Sequence, residues 1–553
     1  MLLGLDIGGT HTDVVAIGKD GIAASAKVVT NHDDLLASVT GALERVFSAI
    51  DVAAVDRINL STTLSTNAIV ERTTEEVGVI VSAGPGVDPQ AHAVGNRYYA
   101  IAGSIDHRGT EVLPPAEGEI QKAVRHCLKN GVKVFAAVSK FSTRNPAHEN
   151  RIRDIIQGNA DFTTVGHELS GALNFPRRVS TAYFNSAVWR IFNRFADAIE
   201  SGVAAHGIAP AINILKADGG TMPLAVARRI PVESILSGPA ASVMGIVALC
   251  DIVEDAVVLD IGGTTTDIAI FADGAPLVED GIELDERATL VRALKTRSIG
   301  IGGDSILAVS GTSVTAGPER RGPSMADGGS APTLIDAFNV KKLAAYGDTA
   351  ASEKGVRALA KKSGRSPEDL AGAAIDYAMR AIKEASDAMV RAINEKPVYT
   401  VHEVLEGKTI VPKRLYVMGG PARAFSDALA KRFGLPITVP EQYAVANAVG
   451  AALTHATMDI ELFADTERGV MLIPFLNVNE RVSGSYTLEH AKKDAQARLA
   501  DHLAGLGVKS AECASEIIEA ASFNMVGGWS TTGRNIRVKC QVKPGIVKGY
   551  RVG

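Results

Sequence analysis

Short apolar runs alternate with amphipathic segments along the chain, and this alternation predicts an α/β architecture. The N-terminal segment reads as strands at 2–7, 13–18 and 22–29, joined by a glycine turn and by the tight turn "KDG". Residues 33–50 then carry apolar side chains at the spacing of one helix face. The same alternation continues with strands at 57–63, 77–82 and 132–138 and with helices from about 117, after Pro146, and from about 180 to 206.

The second half of the chain repeats this order. The strand "AVVLDI" (256–261) meets a glycine turn, the strand "TDIAIF" (266–271) and a second tight turn. Helices are predicted over 349–394, with Ser366 as an N-cap before Pro367, and again over 421–433. A strand–hairpin–strand unit is therefore present once in each half of the chain.

These patterns divide the chain into three predicted domains. We expect a first lobe at 1–250, a second lobe at 251–460 and a small α+β domain at 461–553. The alanine-rich segment at 441–460 is predicted to be one helix that closes the second lobe.

The repeated unit carries the most specific chemical signal in the sequence. "DIGGTHTD" at 6–13 and "DIGGTTTD" at 260–267 share seven of eight residues. Paired glycines let a backbone approach an anion and direct successive N–H groups at it, and threonine hydroxyls add donors. A carboxylate at the end of a buried strand suits a hydrated Mg²⁺ ion. Two facing copies of this turn therefore predict one shared polyphosphate site.

Candidate residues follow from this interpretation. Asp6 and Asp260 are the predicted catalytic carboxylates and hold Mg²⁺ through water. The remaining members are backbone or hydroxyl donors to phosphate, and they are Gly8, Gly9, Thr10, Thr12, Gly262, Gly263, Thr264, Thr265 and Thr266.

Composition and charge narrow the class of protein. The 553 residues are 46% hydrophobic and 22% charged, and the net charge of -5 gives no basic footprint for a nucleic acid. The chain shows no apolar run approaching roughly 18 residues, so we expect no membrane span and a cytoplasmic protein. The four cysteines lie far apart and form no metal-ligand spacing, so we expect reduced thiols and no transition-metal site.

Several segments, taken in order, resemble the actin, Hsp70 and sugar-kinase superfamily. "SILSGPAASVMGIVA" (234–248) and "AVANAVGAAL" (444–453) are similar to its two connecting helices, whose small residues allow close crossing. "GIGGDSIL" (300–307) and "YVMGGPARAF" (416–425) resemble its glycine turns around the adenosine. The resemblance implies two duplicated lobes around a nucleotide cleft and an adenosine site at Gly302, Gly303, Asp304, Gly419 and Gly420.

A narrower resemblance covers nearly the whole chain. Its segments keep the order of the A-type component of the hydantoinase/oxoprolinase family, with an N-terminal unit at about 1–170; they are "DIGGTHTD", "STTLSTNAIVER" (61–72), "PVESILSGPAA" (231–241), "LDIGGTTTD", "SIGIGGDSI" (298–306) and "SFNMVGGWSTTGRNIRVKCQVKPG" (522–545). This resemblance implies Mg²⁺ and ATP as cofactors and phosphorylation of a cyclic amide for ring opening. It also implies a B-type partner subunit. Further cleft residues carried over from it are Asp13, Asp267, Thr66, Asn67, Glu71 and Arg72.

The chain departs from the family pattern at three places. Leu60 and Ser61 stand where His-Gly is common, and His11 stands where Phe is frequent. The loop at 316–337 lacks the usual Cys and Tyr. These positions border the expected substrate pocket or subunit interface, so the sequence leaves the substrate open.

Other functions remain open at this point. A small-molecule kinase would release a stable phosphorylated product without a partner protein. A ketone carboxylase component would use the same nucleotide chemistry on another substrate. An Hsp70-like reactivase would spend ATP on remodelling a protein. The sequence also leaves open whether the chain forms a homo-oligomer.

Overall fold

The computed structural model describes residues 1–9, 11–31, 35–311, 313–395, 409–509, 514–550 and 552. Up to residue 250 its strands are β1 (Leu2–Ile7), β2 (His11–Gly18), β3 (Gly21–Val29), β4 (Arg57–Thr62), β5 (Gly78–Ser82), β6 (Arg97–Ala100), β7 (Ser104–Ile105), β8 (Glu111–Leu113), β9 (Val134–Ser139), β10 (Phe162–Val165), β11 (Ala211–Leu215) and β12 (Thr221–Pro223). The helices of this part are α1 (Leu35–Phe47), α2 (Leu64–Val70), α3 (Glu117–Lys129), α4 (Ala147–Ile156), α5 (Phe175–Ala204), α6 (Leu224–Ala227) and α7 (Ser237–Leu249).

The rest of the chain continues the alternation. Strands up to residue 458 are β13 (Ala256–Ile261), β14 (Thr266–Ala272), β15 (Ala275–Pro276), β16 (Val278–Asp280), β17 (Glu283–Leu284), β18 (Arg287–Ala288), β19 (Arg292–Leu294), β20 (Thr296–Ile299), β21 (Leu307–Ser310), β22 (Ser313–Ala316), β23 (Arg414–Met418) and β24 (Ile437–Thr438). The helices there are α8 (Leu334–Val340), α9 (Thr349–Ser363), α10 (Pro367–Asn394), α11 (Ala422–Phe433) and α12 (Ala446–Leu453). The last part holds β25 (Asp459–Asp465), β26 (Val470–Ile473), β27 (Val478–Arg481), α13 (Leu488–Gly505), β28 (Ser515–Gly527) and β29 (Ser530–Val542).

The two halves are built on sheets of the same order. The first sheet runs β12-β11-β4-β1-β2-β3, with β1 antiparallel to β2 and parallel to β4. The second runs β15-β14-β13-β23-β24, with β13 antiparallel to β14 and parallel to β23. Even the register repeats, because Asp6 lies opposite Asp13 and Asp260 lies opposite Asp267. The predicted duplication and α/β fold are confirmed.

The first lobe also contains a second sheet that the division at 1–250 did not separate. Strands β10-β9-β5-β6 form a parallel sheet within 78–165, and α5 packs against β9 of that sheet. Its two central strands, "GVIVS" and "VFAAVS", are continuous buried runs, which is typical of strands covered on both faces.

Helices α7 and α12 cross where their small residues meet. A Cβ atom on Gly450 would lie 2.3 Å from the backbone nitrogen of Gly245, and one on Gly245 would lie 2.3 Å from the carbonyl oxygen of Ala446. Strand β1 approaches α12 equally closely, because a Cβ on Gly4 would lie 2.0 Å from the carbonyl oxygen of Ala448. The predicted close helix crossing is confirmed, and it brings both lobes against one helix.

Two predicted helix bounds are wrong. The helix expected from about 180 begins at Phe175, because the Asn174 side chain accepts a hydrogen bond from the backbone N–H of Arg177 and starts the helix earlier. The helix expected over 441–460 spans only Ala446–Leu453. It ends there because the Asn59 Nδ2 donates to its last carbonyl groups, and the following residues pair with Thr221 as extended chain.

The C-terminal domain is a five-stranded sheet, β27-β26-β25-β29-β28, with α13 packed on it. It begins with β25 at Asp459, two residues before the predicted boundary. Cys127, Cys250 and Cys540 carry free thiols, and Cys513 lies outside the described residues. Among the helices that the structure describes, none is long and apolar enough to cross a lipid bilayer.

Candidate functional site

The predicted catalytic carboxylates lie together at the crossing of the two lobes. Asp6 lies near the end of β1 and Asp260 near the end of β13, and both side chains are buried. The Asn447 Nδ2 of α12 lies 3.2 Å from Asp6 Oδ2 and 3.1 Å from Asp260 Oδ2 and donates to both. One amide group therefore holds a carboxylate from each half of the duplication.

A second helix supports Asp260. The Ser242 hydroxyl of α7 donates to Asp260 Oδ2 at 2.6 Å. Gly419 follows β23 with a positive φ of 90°, and a Cβ there would lie 2.5 Å from Asp260 Oδ1. Glycine is therefore required at 419 by both the backbone conformation and the carboxylate beside it.

Burial and like charges alter the titration of the aspartates. Burial, followed by the charge of Asp13, raises the pKa of Asp6 to about 7. Burial and the charge of Asp260 likewise raise the pKa of Asp267 to about 7. The pKa of Asp13 is also raised by burial, although Lys27 Nζ donates to its Oδ2 at 2.8 Å and opposes the shift. Closely spaced acidic groups in a cleft are typical of a site that receives a cation.

The first glycine turn is closed by its own backbone. The N–H of Gly8 donates to the carbonyl oxygen of His11 at 3.1 Å, and Thr30 Oγ1 donates to the Gly8 carbonyl oxygen at 2.9 Å. Thr12 is fully buried, and its hydroxyl lies 3.1 Å from that of Thr30, so it stabilises the turn from within. Gly9 is exposed and has no neighbouring atom where a Cβ would stand, and Thr10 lies outside the described residues.

The second turn has the same hydrogen bond and a different support. The N–H of Gly262 donates to the carbonyl oxygen of Thr265 at 2.9 Å. Thr266 is fully buried and its hydroxyl donates to the Ile301 carbonyl oxygen at 2.6 Å. Gly263, Thr264 and Thr265 keep partial exposure.

The glycine turn at 300–307 packs directly behind this second turn. The N–H of Gly303 donates to the Gly262 carbonyl oxygen at 2.9 Å. The N–H of Asp304 donates to the Gly263 carbonyl oxygen at 2.7 Å. Gly302 is buried, and a Cβ there would lie 2.6 Å from the Gly262 carbonyl oxygen. Gly302 and Gly303 thus support the second turn from behind. Gly420, another residue predicted for the adenosine site, is exposed.

The four predicted residues in and just after α2 lie in two places. Thr66 Oγ1 accepts a hydrogen bond from the N–H of Leu236 at 3.0 Å, just before α7, and Asn67 Nδ2 lies 3.4 Å from Thr63 Oγ1. Glu71 and Arg72 are exposed, and Arg72 lies 3.5 Å from Asp285. Thr66 and Asn67 therefore lie by the start of α7, whereas Glu71 and Arg72 lie at the surface.

Positions that depart from the family pattern lie beside these groups. Ser61 is fully buried and pairs in register with Asp6 across β1 and β4. His11 is half-buried; burial lowers its pKa, and Lys27 and Arg320 also lower it. Arg320, from the loop at 316–337, lies 3.1 Å from Asp304 Oδ2. The first turn therefore faces a loop of the second lobe.

Asn447, Ser242 and Lys27 were not among the residues predicted from the sequence. Asn447 lies inside "AVANAVGAAL" as a polar residue in a run of small apolar ones, which was the signal available for it. Lys27 lies directly opposite Asp13 in the β2–β3 hairpin. The register of that hairpin was therefore the signal that could have paired the two residues.

The donor set fits Mg²⁺ held with phosphate. Magnesium is usually held by one or two carboxylates, with waters and phosphate oxygens completing its shell. Asp6 and Asp260 supply two, and within the described ranges no group of three or more His, Cys, Asp or Glu side chains could hold a metal ion alone. The residues would therefore hold the ion together with a bound phosphate.

Comparison with known proteins identifies relatives of the chain. The alpha subunit of the caprolactamase of Pseudomonas jessenii is 26% identical over 374 residues, covering 61% of this chain and 53% of that protein. The acetophenone carboxylase gamma subunit of Aromatoleum aromaticum is 25% identical, covering 60% of this chain and 52% of its own length. The chain thus spans about half the length of these curated relatives.

Solved structures share the fold. The ATP-dependent caprolactamase from Pseudomonas jessenii superimposes with a TM-score of 0.72 at 21% identity, covering 98% of this chain and 87% of that one. The nucleotide-free acetone carboxylase structure gives a TM-score of 0.69 at 16% identity, covering 99% and 88%. At these identities the likeness concerns the fold alone.

Two family models match most of the chain in two consecutive parts. The hydantoinase/oxoprolinase N-terminal region matches residues 2–159, close to the unit expected at about 1–170. The hydantoinase/oxoprolinase family model matches residues 178–460, which is more than half of the sequence. With its duplicated lobes and paired aspartate turns, this chain belongs to the hydantoinase/oxoprolinase family.

Proposed function

We propose that this chain is the nucleotide-binding component of an ATP-dependent hydrolase that phosphorylates a cyclic amide for ring opening. The observation that carries the proposal is the contact of one Asn447 amide with both Asp6 and Asp260. Because each aspartate begins one glycine turn, this contact supports our proposal that the two turns face one cleft. A site with two facing turns suits a triphosphate better than a monophosphate, because each turn can bind a different phosphate group.

The chain's own residues have distinct parts in this proposal. Asp6 and Asp260 would hold Mg²⁺, which would neutralise charge on the phosphates. The N–H groups of Gly9 and Gly263 are proposed to donate to phosphate oxygens, because those of Gly8 and Gly262 close their own turns. Thr10, Thr264 and Thr265 are proposed to add hydroxyl donors. Asn447 positions the two carboxylates, and Gly419–Gly420 offers backbone to the adenosine.

Phosphoryl transfer explains why a hydrolase needs ATP. A cyclic amide is a poor electrophile, and transfer of the γ-phosphoryl group to its imidate oxygen makes the ring carbon open to attack by water. The C–N bond then breaks to leave an amine and an acyl phosphate, and a second water hydrolyses the acyl phosphate. The products are the open-chain amino acid, ADP and phosphate. The protein contributes mainly by positioning the reactants and by charge stabilisation, because such a step needs no covalent nucleophile.

Relatives named as subunits support a partner for this chain. The caprolactamase relative is named as an alpha subunit of its enzyme, and the acetophenone carboxylase relative is named as a gamma subunit. We propose a B-type partner that completes the reaction on the phosphorylated substrate.

A ketone carboxylase component is the second candidate. Two relatives support it, the gamma subunit of acetophenone carboxylase at 25% identity and the beta subunit of acetone carboxylase at 21%. An enolised ketone would accept a phosphoryl group at an oxygen equivalent to that of the amide. The two candidates therefore share the nucleotide site and differ in the acceptor.

The ATPase rate of the purified protein tests the proposal. The rate is measured with 5-oxoproline, caprolactam, hydantoin, acetone and acetophenone, with and without a B-type subunit. We expect a cyclic amide to raise turnover when both subunits are present. Stimulation by ketones alone, and only with bicarbonate, would establish the second candidate. If neither group of compounds changes turnover with the partner present, both assignments are wrong.

A further inference from the structure

A cavity that Asp6 and Asp260 do not line lies where three parts of the chain meet. It has a volume of about 380 Å³. The first lobe, the β16–β19 hairpin of the second lobe and the C-terminal domain all contribute to its wall. Its charged lining includes Arg177, Lys216, Glu233, Asp459, Glu461 and Lys539. Small-molecule sites are common at such domain junctions, and this volume lies at the small end of their range.

The carboxyl groups of this cavity have few protein partners. Glu461 is half-buried, and its side chain forms no hydrogen bond or ion pair with any residue in the described ranges. The nearest cation to Glu233 is Lys216, whose Nζ lies 3.7 Å away and is bound more closely by Asp218 at 3.0 Å. Burial raises the pKa of Glu233 to about 7 and also raises the pKa of Glu461. A cationic ligand group would stabilise both carboxylates.

Basic side chains on the same wall retain free donors. Arg177 Nη1 donates to the Asp280 carbonyl oxygen at 3.0 Å, which uses one of its five N–H groups. Lys539 Nζ lies 3.9 Å from Asp459 Oδ2, beyond hydrogen-bond distance. An anionic ligand group would therefore find donors on the wall that also carries the two glutamates.

An organic ligand fits this wall better than a metal ion. Across the described part of the chain, no three His, Cys, Asp or Glu side chains are grouped closely enough to hold a metal. A ligand with separated positive and negative ends matches the mixed lining.

We propose that this cavity binds an amino acid, with its ammonium group at Glu233 and Glu461 and its carboxylate at Arg177 and Lys539. The choice of ligand rests on the proposed function, because water added across a lactam C–N bond leaves a carboxylate and an ammonium group on one molecule. The cavity is then a product site of the same reaction.

Its place in the fold connects it to the nucleotide site. Lys216 follows β11, and Asp6 lies near the end of β1 on the same edge of the sheet, with β4 between them. Strand spacing puts these two chain positions on the order of 10 Å apart. Glu233 also lies shortly before α7, which carries Ser242 to Asp260.

Isothermal titration of the full chain without nucleotide tests the proposal. The probes are 6-aminohexanoate, 5-aminopentanoate and L-glutamate, with hexanoate and hexylamine as controls that each lack one charged end. We expect at least one amino acid to bind at least tenfold more tightly than both controls. Equal binding of hexylamine or hexanoate, or no binding of any amino acid, would overturn it.

Matched variants locate the binding. Glu461→Gln keeps the shape of the side chain and removes its charge, and we expect at least a tenfold loss of amino-acid affinity. Glu516→Gln is the control, because Glu516 lies on β28 outside the cavity wall and pairs with Lys543. Unchanged affinity in Glu461→Gln and in Glu233→Gln would overturn the proposal, provided that thermal melting shows both variants folded.

The pH dependence supplies a second readout. Glu233 is faced by Lys216, Asp218 and Asp459, and it must be ionised to hold an ammonium group. We expect amino-acid affinity to rise about tenfold from pH 6 to pH 8 and this rise to be reduced in Glu233→Gln. A rise that is the same in wild type and variant would contradict the role of Glu233.

The outcome of the amino-acid binding test can be distinguished from the outcome of the ATPase test of the proposed function. An Asp260→Asn protein should bind the amino acid as wild type does, because Asp260 does not line the cavity. Amino-acid binding without any amide-stimulated ATPase would keep this site and reject the hydrolase. Amide-stimulated ATPase without amino-acid binding would do the reverse.

Discussion

The two glycine turns are nearly identical in sequence and are supported in different ways. The first is held by Thr30, just after β3, and its second aspartate, Asp13, is paired with Lys27 at 2.8 Å. The second is held by the backbone of Gly303 and Asp304, and its second aspartate, Asp267, has no cation among its hydrogen-bond partners in the described ranges. Only Asp6 and Asp260 share a partner, Asn447. The comparison teaches that the first aspartates of the two turns are joined through one amide, whereas the second aspartate of each turn is held by its own local structure.

The largest expected effect is on turnover when either first aspartate is neutralised. We expect Asp6→Asn and Asp260→Asn each to lower ATP turnover by about 100-fold or more, because each removes a carboxylate proposed to hold Mg²⁺. Steady-state ATPase assays on both variants measure it. Asp197→Asn, at an exposed surface pair with Arg228, is the control and should retain wild-type turnover. A large loss in only one of the two variants would break the proposed equivalence of the lobes.

The next effect is on stability at the helix crossing shared by the lobes. Gly450→Ala would place a Cβ 2.3 Å from backbone of Gly245, so we expect a loss of about 3 kcal/mol in the free energy of unfolding. Gly372→Ala in α10 is the matched control, because no atom lies within 4 Å of its added Cβ. It should gain roughly 0.5–1 kcal/mol from helix propensity. Denaturant unfolding of both variants decides the point, and equal stabilities would refute the close crossing.

Removal of the shared amide should have a smaller effect. Asn447→Ala leaves both carboxylates in place without their common donor, and we expect kcat to fall about tenfold. With Mg²⁺ and nucleotide present, the thermal midpoint should change little, because the bound ion would neutralise both carboxylates in place of the lost donor. Asn193→Ala, whose amide nitrogen donates to the carbonyl oxygens of Trp189 and Arg228, is the control. An unchanged kcat in Asn447→Ala would show that the aspartates need no bridge.

The smallest expected effect is on the pH dependence of stability, and it differs between the second aspartates of the two turns, Asp13 and Asp267. Folding raises the pKa of Asp267 to about 7, so the ionised group costs stability as pH rises from its unfolded pKa towards 7. Without Mg²⁺ or nucleotide, we expect Asp267→Asn to gain about 1 kcal/mol per pH unit over wild type between pH 5 and pH 7. Asp13→Asn should gain less, because it also loses the pair with Lys27. Equal gains in thermal unfolding across this range would remove the distinction.

Local patterns in the sequence were enough to predict the duplicated hairpins and the helix crossing. The repeat "DIGGT" and the small residues of "AVANAVGAAL" are contiguous, and their consequences are local. The length of α12 was not predictable, because its end depends on Asn59, 392 positions away from Ala451 in the chain. The same holds for the contact of Asn447 with Asp6 and for the joining of Glu233 and Glu461 in one cavity. Such contacts follow only from the packing of distant elements.

A crystal structure with Mn²⁺ and a non-hydrolysable ATP analogue tests the central claim most directly. We predict an anomalous peak for the ion between Asp6 and Asp260, with phosphate groups within hydrogen-bond distance of the backbone N–H groups of both Gly9 and Gly263. A triphosphate in contact with only one turn, or an ion remote from both aspartates, would contradict the account.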